Sequence, residues 1–525
     1  MSTEKLTVTM QPREIPVIRE VDVLVAGGGY AGFGAAMAAA RAGKRVLLVE
    51  QQSCLGGLVT MGLVALTYSY VEGIGLDLFV RLTDDDALNG RFVDPEKNKR
   101  VLETMLIEVG VEILYCTSVT DAIVEDNVIK GAVIFNKSGF SAVLAKRVID
   151  ATGDGDLAAY AGVPFESGCP QLEDYNQSAS LVARFGNVDM ERYNKECGQR
   201  FKGDSKIRYI QEKVEEAVAS GEMPYMIDKR FNWVVVIPGR DINHQELAIC
   251  FAHSRRCRCL DQFDITRMYI EGREQNRILT EFARKYLPGF ENAWLIDTAP
   301  LLGVRESRRI MCEYKVTGQD LVENRRFEDA VMRDMHALDA HHPTEPGHIK
   351  YVEYPMPDGS IDRRYVMPGG FRELPYRAFV TLKIDNLFVA GRNVSSDFMG
   401  QSGTRLVMAC LNMGQVTGTA AALSIDAGVA PRNLDYNTLR AALIELGMQL
   451  DEDPVSGVDG LSTRANLTRE DITTPEDSDR FHVSAARAKD EVGAKWRVRN
   501  DLADRIAKRR QAYSDTGGDV GTNLE

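Results

Sequence analysis

One segment restricts the possible folds of this chain more than any other: the 18 residues from Val23 to Ala40 carry no charge. A run of this length reaches the minimum for a membrane-spanning helix. Five glycines interrupt it, however, and the acidic Glu20 and Asp22 stand just before it, where a signal peptide would need basic residues. We therefore expect neither membrane insertion nor export.

The same run is better explained as a strand, a turn and a helix. Residues 21–26 are apolar and partly β-branched, three glycines follow, and residues 31–42 are small and apolar. A second apolar strand at residues 44–49 completes a βαβ unit. In the spacing Gly27-x-Gly29-x-x-Gly32 the first glycine permits the turn, the second admits a pyrophosphate and the third lets the helix pack closely.

Glu50 ends this second strand, 18 residues after Gly32. A carboxylate at this place accepts hydrogen bonds from the ribose hydroxyls of adenosine and disfavours a 2′-phosphate. The unsatisfied N–H groups of the helix N-terminus favour the phosphate charge. The unit therefore predicts dinucleotide binding, and a glycine-rich helix contact is the structural alternative.

Composition narrows the classes of function. With 63 basic and 76 acidic residues the net charge is −13, which argues against a nucleic-acid-binding protein. The apolar fraction of 44% is typical of a globular chain, and the length suggests about three domains. Nine cysteines are too few for a disulfide scaffold, and the close pair Cys257 and Cys259 lacks the C-x-x-C spacing of a redox dithiol. We expect free thiols in a cytoplasmic protein.

Later segments indicate which dinucleotide binds. Residues 51–60 read Q-Q-S-C-L-G-G-L-V-T, and a third apolar strand over residues 386–391 precedes G-T-R-L-V-M at 403–408. A second complete glycine fingerprint is absent from the sequence, which argues against a pyridine-nucleotide disulfide reductase. Between these segments, four short strands of a meander are predicted at residues 111–116, 121–125, 128–136 and 141–149.

Together these segments resemble one family: the FAD-dependent oxidoreductases of the glutathione-reductase-like class that are distantly related to the flavoproteins of succinate dehydrogenase and fumarate reductase. The resemblance runs from Val21 to Asp451, and its most specific segments are residues 149–156, 299–309 and 374–377. It implies FAD as cofactor, a small-molecule substrate and an external electron acceptor that it does not identify. The residues that it places along the FAD are Gly27, Gly29, Gly32, Glu50, Gln51, Gly56, Gly57, Val119, Ala151, Gly153 and Gly391.

The resemblance also brings a helix N-terminus to the pyrimidine end of the flavin. The residues that would form it are Gly403, Arg405, Leu406 and Val407. Reduced flavin carries negative charge at this end, so N–H groups and the Arg405 guanidinium would stabilise it.

The fold that the resemblance implies is α/β, a Rossmann-like FAD-binding domain with a βαβ unit and a β-meander, interrupted by an inserted α+β substrate domain. The sequence of the insertion agrees, since it mixes predicted strands (233–238 and 246–252) with predicted helices (207–220 and 264–286). A polar, helical C-terminal extension follows, which is either a solvated tail or a contact in a homo-oligomer. The predicted domains are an N-terminal arm (1–20), the FAD-binding domain (21–161 and 372–450), the substrate domain (162–371) and the extension (451–525).

Arginines and histidines of the substrate domain are the first catalytic candidates. Arg305, in the segment G-V-R-E-S-R-R, offers a guanidinium to a carboxylate or a carbonyl, although the arginines of this segment could equally pair with acids or hold the flavin and its surrounding loops. Four histidines lie within 13 residues, at His336, His341, His342 and His348. They lack the spacing of a metal site, so we predict no metal. In the family, text similar to Asp339-Ala-His341-His-Pro343 is frequent, and we predict His341 as general base, with a structural or solvated loop histidine as the alternative.

Further candidates lie where the chain returns to the FAD-binding domain. The family brings side chains of the segment containing Tyr376 and Arg377 near the flavin ring. His253 ends an apolar strand and is more readily explained as a strand cap. Relatives often carry a histidine after the A-G-R segment, where this chain has none, so that role is vacant or has moved to Asp397 or His341.

Three functions are compatible with the sequence. The leading hypothesis is removal of a hydride from a C–H bond beside a hydroxyl or amine of a small polar metabolite, with flavin N5 as the acceptor. The second is reduction of an activated alkene, or the reverse desaturation, as in fumarate reductase. The third is a flavin-binding electron-transfer subunit or scaffold.

Overall fold

The computed structural model describes residues 8–9, 12–67, 71–89, 92–198, 205–223, 233–238, 245–334, 336, 338–347, 349 and 371–450. The predicted extension over residues 451–525 lies outside the described residues. The helices are α1 (Tyr30–Arg41), α2 (Gly73–Asp84), α3 (Pro95–Glu108), α4 (Asp156–Tyr160), α5 (Met190–Gly198), α6 (Ser205–Ala219), α7 (Gln262–Tyr286), α8 (Gly318–Val322), α9 (Phe398–Thr404), α10 (Val407–Asp426) and α11 (Tyr436–Glu445). The strands are β1 (Val17–Ala26), β2 (Val46–Val49), β3 (Leu88–Asn89), β4 (Phe92–Val93), β5 (Glu112–Leu114), β6 (Ser118–Glu125), β7 (Val128–Asn136), β8 (Gly139–Asp150), β9 (Phe165–Ser167), β10 (Ala179–Val188), β11 (Trp233–Val236), β12 (Gln245–Ser254), β13 (Trp294–Thr298), β14 (Arg308–Ile310), β15 (Ala330–Asp334), β16 (Arg372–Pro375) and β17 (Leu387–Val389).

The largest sheet combines a parallel Rossmann-like part with an antiparallel meander. Strands β5, β2, β1 and β8 run parallel in that order, and β17 extends the parallel part beside the last residues of β8. The first half of β8 pairs instead with β7, which pairs with β6. Because β8 belongs to both parts, the predicted βαβ unit and the meander share one sheet.

The prediction of a four-stranded meander was wrong in one strand. The strand near residue 112 is β5, which pairs in parallel with β2 at the sheet edge. The reason is α3, which begins at Pro95 behind an Asp94 cap and lies between β2 and β5 in the chain. A helical crossover of this kind returns the chain in the parallel direction. The meander therefore has three strands, β6, β7 and β8.

Helices α1 and α10 pack in unusually close contact. A Cβ atom at Gly414 would lie 2.0 Å from the Ala31 carbonyl oxygen, and one at Gly418 would lie 2.2 Å from that of Ala35. Because both residue numbers rise together along the contact, the two helices run parallel and begin at the same end of the sheet. This is the end at which β1, β8 and β17 finish.

Substituting Gly414 tests this packing. The side chain of alanine would collide with backbone of α1, so we expect Gly414→Ala to lower the free energy of unfolding by about 1–3 kcal/mol. Urea denaturation of the two proteins would measure it. Asp426→Ala at the surface of the same helix is the control and should stay within about 0.5 kcal/mol. Equal stability of Gly414→Ala and wild type would contradict the close contact.

A second, antiparallel sheet belongs to the inserted region. Its strand order is β11-β12-β10-β13, and α7 packs against β10 and β12. The predicted strands at 233–238 and 246–252 are confirmed as β11 and β12, and the predicted helices as α6 and α7. Their apolar side chains form a core that is separate from that of the parallel sheet.

Within the described residues, no single helix has the length and apolar composition needed to cross a membrane. Only α9 and α10 taken together have that length and composition, and the two helices are bent by 92° relative to each other.

Candidate active site

The three motif glycines of the turn after β1 have different surroundings. A Cβ at Gly27 would lie 2.3 Å from the Ala151 carbonyl oxygen, and one at Gly32 would lie 1.8 Å from that of Gly27. A Cβ at Gly29 would meet no atom within 4 Å. The first and third glycines therefore allow close backbone packing, while the second faces open space. Helix α1 begins directly after Gly29 without a side-chain cap, so its first N–H groups are available to an anion.

Glu50 lies beside this turn at the end of β2. Its two carboxylate oxygens accept hydrogen bonds from the backbone N–H groups of Gly28 and Gln52, at 2.5 and 2.7 Å. The carboxylate is almost fully buried, and burial raises its pKa. This position next to the helix N-terminus fits the ribose contact that the sequence predicts.

Other predicted cofactor residues converge on the same edge. Gly56 donates its N–H to the Gly28 carbonyl at 2.9 Å, so the segment from Gln51 to Gly57 folds back onto the glycine-rich turn. A Cβ at Gly391 would lie 3.0 Å from the Ala31 side chain. Gly153 follows β8, and Val119 lies at the start of β6, next to the Thr117 N–H that bonds to the Glu50 carbonyl. These residues thus lie beside the glycine-rich turn or at the strand ends next to it, an arrangement that fits a bound dinucleotide.

Asp150 is a site residue that the sequence reasoning did not single out. It ends β8, is fully buried, and accepts hydrogen bonds from Thr152 N–H (3.0 Å), the Thr152 hydroxyl (2.7 Å) and Ala158 N–H (2.7 Å). These bonds hold the turn that contains Gly153 against α4. Burial outweighs them and raises the pKa of Asp150 to about 6.

The raised pKa of Asp150 predicts a pH dependence of stability. The unfolded chain releases this proton near its ordinary pKa of about 3.9, whereas the folded chain keeps it to about pH 6. Between these values the native state binds more protons, so the contribution of Asp150 to stability is complete below about pH 4 and falls by up to about 3 kcal/mol by pH 6. Asp150→Asn removes this dependence. Denaturation of both apoproteins across this range measures the difference, and a difference that does not change with pH would contradict the assignment.

A short break in the helical structure separates α9 from α10, close to the predicted flavin contact. Helix α10 begins at Val407, with Leu406 as an N-cap that makes no side-chain hydrogen bond. Gly403 lies earlier, inside α9, where a Cβ would contact Leu321 at 2.8 Å. Packing of α9 explains this glycine, and the helix N-terminus that the sequence predicts in this segment comes after it, at Val407.

Arg405 lies in this break and is buried. Its Nη2 donates to the carbonyl and to the carboxylate of Asp339, both at 2.8 Å, while its Nε has no hydrogen-bond partner among the described residues. Burial lowers the pKa of Arg405, Asp339 opposes that shift, and the nearby Arg305 adds to it. A buried guanidinium N–H without an acceptor fits an anionic or carbonyl edge of a bound group.

Two histidines from distant parts of the chain stack beside Arg405 and Asp339. The rings of His253, at the end of β12, and His341 are 5.9 Å apart and inclined by 20°. His341 Nε2 lies 3.4 Å from the Asp339 carboxylate. His253 Nδ1 lies 2.8 Å from the Phe251 carbonyl, which makes it the protonated nitrogen, and Nε2 faces Arg305 Nη2 at 3.4 Å.

Two buried glutamines hold this group in place. The Gln177 amide accepts from the His341 backbone N–H at 3.1 Å and donates to Gln401 at 3.1 Å. Gln401 in turn donates to the Arg305 carbonyl at 2.8 Å. The histidines and Arg305 are thus fixed to α9, which adjoins the N-terminus of α10.

A model of the FAD dependent oxidoreductase family matches residues 22–443. The chain belongs to this family.

Thiamine thiazole synthase of Methanococcus aeolicus is 32% identical over 145 residues, 26% of this chain and 55% of that enzyme. Digeranylgeranylglycerophospholipid reductase of Sulfolobus acidocaldarius is 32% identical over 153 residues, 25% of this chain and 34% of that enzyme. The match therefore spans about half of the first relative and about a third of the second. Among solved structures, p-nitrophenol 4-monooxygenase of Pseudomonas putida shares 13% identity over 93% of this chain and 99% of that chain, with a TM-score of 0.43.

As a member of this family, the protein uses FAD as its cofactor. The comparisons establish the family and do not extend to the narrower relationship with succinate dehydrogenase and fumarate reductase. The site residues that the sequence analysis missed as partners are Asp339, Gln177 and Gln401. Asp339 belongs to the same short segment, Asp339 to Pro343, as His341, while nothing in the sequence singles out the two glutamines.

The remaining arginines of the segment near residue 305 have structural partners in this FAD-dependent oxidoreductase. Arg308 pairs with Asp156 at 2.7 Å. Arg309 forms a buried ion pair with Glu306, whose other oxygen accepts from Asn176 at 2.7 Å. The alternative that these arginines hold surrounding loops therefore describes Arg308 and Arg309, but Arg305 points to the histidines.

Tyr376 and Arg377 are not part of this group. The Tyr376 hydroxyl donates to the Pro431 carbonyl at 2.9 Å, and the half-exposed Arg377 pairs with Asp329 at 2.9 Å. Both residues precede β17, whereas the cleft lies where β17 ends. These contacts assign Tyr376 to packing and Arg377 to a surface ion pair, so neither residue enters the proposed mechanism.

Other candidates also have local roles. Asp397 caps α9 by accepting from Gly400 N–H at 2.6 Å. The His336 carbonyl accepts from Arg372, and His342 Nδ1 accepts from Glu345 N–H at 3.0 Å. His348 lies outside the described residues. No cluster of three metal-ligating side chains occurs in the part of the chain that the structure describes.

Proposed function

We propose that this FAD-dependent oxidoreductase removes a hydride from a C–H bond beside a hydroxyl or amine of a small polar metabolite. The observation that carries the proposal is the buried pair of His253 and His341, held between Arg305 and Asp339 next to the N-terminus of α10. FAD, when bound, supplies the two-electron acceptor for this chemistry. The protein supplies orientation, charge and a base.

Residues of the cleft have distinct tasks in holding the cofactor. The N-terminus of α1 beside Gly29 suits the pyrophosphate, and Glu50 suits the adenosine ribose. Arg405 and the uncapped N-terminus of α10 suit the pyrimidine edge, because positive charge there favours the reduced, anionic form.

His341 is the proposed base. Its Nε2 lies 3.4 Å from the Asp339 carboxylate, so Asp339 would stabilise the imidazolium that forms when the ring takes a hydroxyl or ammonium proton. Protonating His253 would place a second cation between Arg305 and His341. The proton taken from the substrate would therefore rest on His341.

The test is the visible spectrum of the purified protein, followed by anaerobic bleaching with a panel of alcohols and amines. We expect oxidised-flavin bands, release of FAD on denaturation, and bleaching by at least one compound. A protein that binds no FAD, or bound FAD that no panel member bleaches, would contradict the proposal.

Reduction of an activated alkene is the second candidate. The same geometry favours it, because Arg305 can polarise a carbonyl or carboxylate and His341 can donate a proton. Anaerobic reoxidation of photoreduced enzyme by 2-enoates, without bleaching by alcohols or amines, would select this function.

A further inference from the structure

The charge balance around the stacked histidines is uneven. Arg305 is 9% exposed, and the groups within hydrogen-bond distance of its guanidinium are uncharged: Nη1 donates to the Ser178 carbonyl at 2.6 Å, and Nη2 faces His253 Nε2 at 3.4 Å. Among the residues that the structure describes, no carboxylate pairs with it. A buried guanidinium without a counter-charge is costly, and such groups are ordinarily paired.

The neighbouring arginines show how unusual this is. Four other guanidiniums near the site each pair with a carboxylate. The pairs are Arg392 with Asp154 (2.7 Å), Arg405 with Asp339 (2.8 Å), Arg308 with Asp156 (2.7 Å) and Arg309 with Glu306. Arg305 is the exception, and it is the arginine that contacts the histidine pair.

We infer that Arg305 binds the carboxylate of the substrate, and that the substrate is a 2-hydroxy or 2-amino carboxylate. This inference rests on the proposed function and narrows its substrate class. The argument for substitution at carbon 2 is that the His253 ring contacts both the Arg305 guanidinium, at 3.4 Å, and the His341 ring, at 5.9 Å between centroids. A 2-hydroxy or 2-amino acid has the shortest spacer between a carboxylate for Arg305 and a proton for His341. Uncharged alcohols and amines would leave the buried cation without a partner.

The hydrogen bonds that glutamine side chains make around Arg305 support a binding role. Its backbone carbonyl is held by Gln401, and Gln401 is held by Gln177, which also fixes the His341 backbone. The guanidinium and the proposed base are therefore positioned by one chain of hydrogen bonds. Such preorganisation is expected where a planar, bidentate anion must be oriented.

The experiment compares carboxylic acids with their amides by the change that each causes in the flavin absorbance of the oxidised holoenzyme. Suitable pairs are L-lactate and L-lactamide, mandelate and mandelamide, L-alanine and L-alaninamide, and L-phenylalanine and L-phenylalaninamide. We expect at least one acid to bind about 100-fold more tightly than its amide. Arg305→Gln should abolish that preference, and Arg305→Lys should keep part of it.

Arg308→Gln is the matched control, since it removes a guanidinium from the same segment that already has Asp156. It should leave the preference for acids unchanged. Amides that bind as tightly as acids, a preference that survives in Arg305→Gln, or an absence of binding by every acid would overturn the inference. Because binding is read without turnover, Arg305-dependent acid binding without flavin bleaching would refute the proposed reaction alone. Bleaching by uncharged substrates in Arg305→Gln would refute this inference alone.

Discussion

Replacing Gly29 by alanine is expected to weaken FAD binding about 100-fold while the apoprotein keeps its stability to within about 1 kcal/mol. Apart from the adjacent residues and the backbone of its own helix, no described residue places an atom within 4 Å of the position that a Cβ would take at Gly29, so this position accommodates a methyl group. The same space faces the first N–H groups of α1, where the pyrophosphate binds in this type of βαβ unit. A methyl group there keeps the phosphates away from their donors. Equilibrium titration of the apoprotein with FAD measures the loss.

Gly32→Ala is the matched control for this prediction. Its Cβ would lie 1.8 Å from the Gly27 carbonyl oxygen, so this substitution must disturb the turn itself. We expect a clear fall in apoprotein stability for Gly32→Ala and almost none for Gly29→Ala. Wild-type FAD affinity in Gly29→Ala, or equal destabilisation by the two substitutions, would show that the open side of the turn is not the phosphate site.

The cofactor half of the site could be predicted from the sequence because its geometry is local. The turn, α1 and Glu50 lie within one βαβ unit, so fixed spacings in the chain correspond to fixed positions in space. The additional contacts at Ala151 and Gly391 came from segments that follow strands of the same sheet. Parallel strands end at a common edge, which explains why such segments converge.

Of the proposed catalytic group, the sequence could predict individual residues but not the contacts between them. The His341 backbone meets a glutamine 164 residues away in the chain, and that glutamine meets another 224 residues away. No periodicity or spacing reports contacts over such separations, which depend on how the inserted sheet packs on the first. The same limit explains Tyr376 and Arg377. Their segment does return to the FAD-binding domain, but it enters at the start of β17 instead of the end.

The position of His253 shows most clearly how contacts predictable from the local sequence differ from contacts that depend on the tertiary fold. At the end of an apolar strand, a lone histidine is ordinarily a cap, and its Nδ1 contact with the Phe251 carbonyl has that character. Its second nitrogen gives it another role, because that nitrogen faces Arg305 while the ring stacks on His341. Local sequence could supply only the first of these facts.

Replacing His341 by glutamine should reduce the rate of flavin reduction by about 10²–10⁴-fold, the usual contribution of a general base. Glutamine approximates the size of imidazole but cannot accept the substrate proton, so binding of FAD and of the substrate should change little. Asp339→Asn should have a smaller effect on the same rate, because Asp339 acts by stabilising the protonated ring at 3.4 Å. Anaerobic stopped-flow absorbance with a substrate identified by bleaching measures each rate.

His342→Gln is the control for His341→Gln, since it alters the adjacent imidazole, whose Nδ1 accepts from the N–H groups of Thr344 and Glu345. This variant should reduce flavin at close to the wild-type rate. If His341→Gln did the same, the proton would have to leave through another group. His253 Nε2 would then be the first to test, because it is the neighbouring imidazole nitrogen with a lone pair. A loss of rate in His253→Gln with none in His341→Gln would reverse the roles assigned to the two rings.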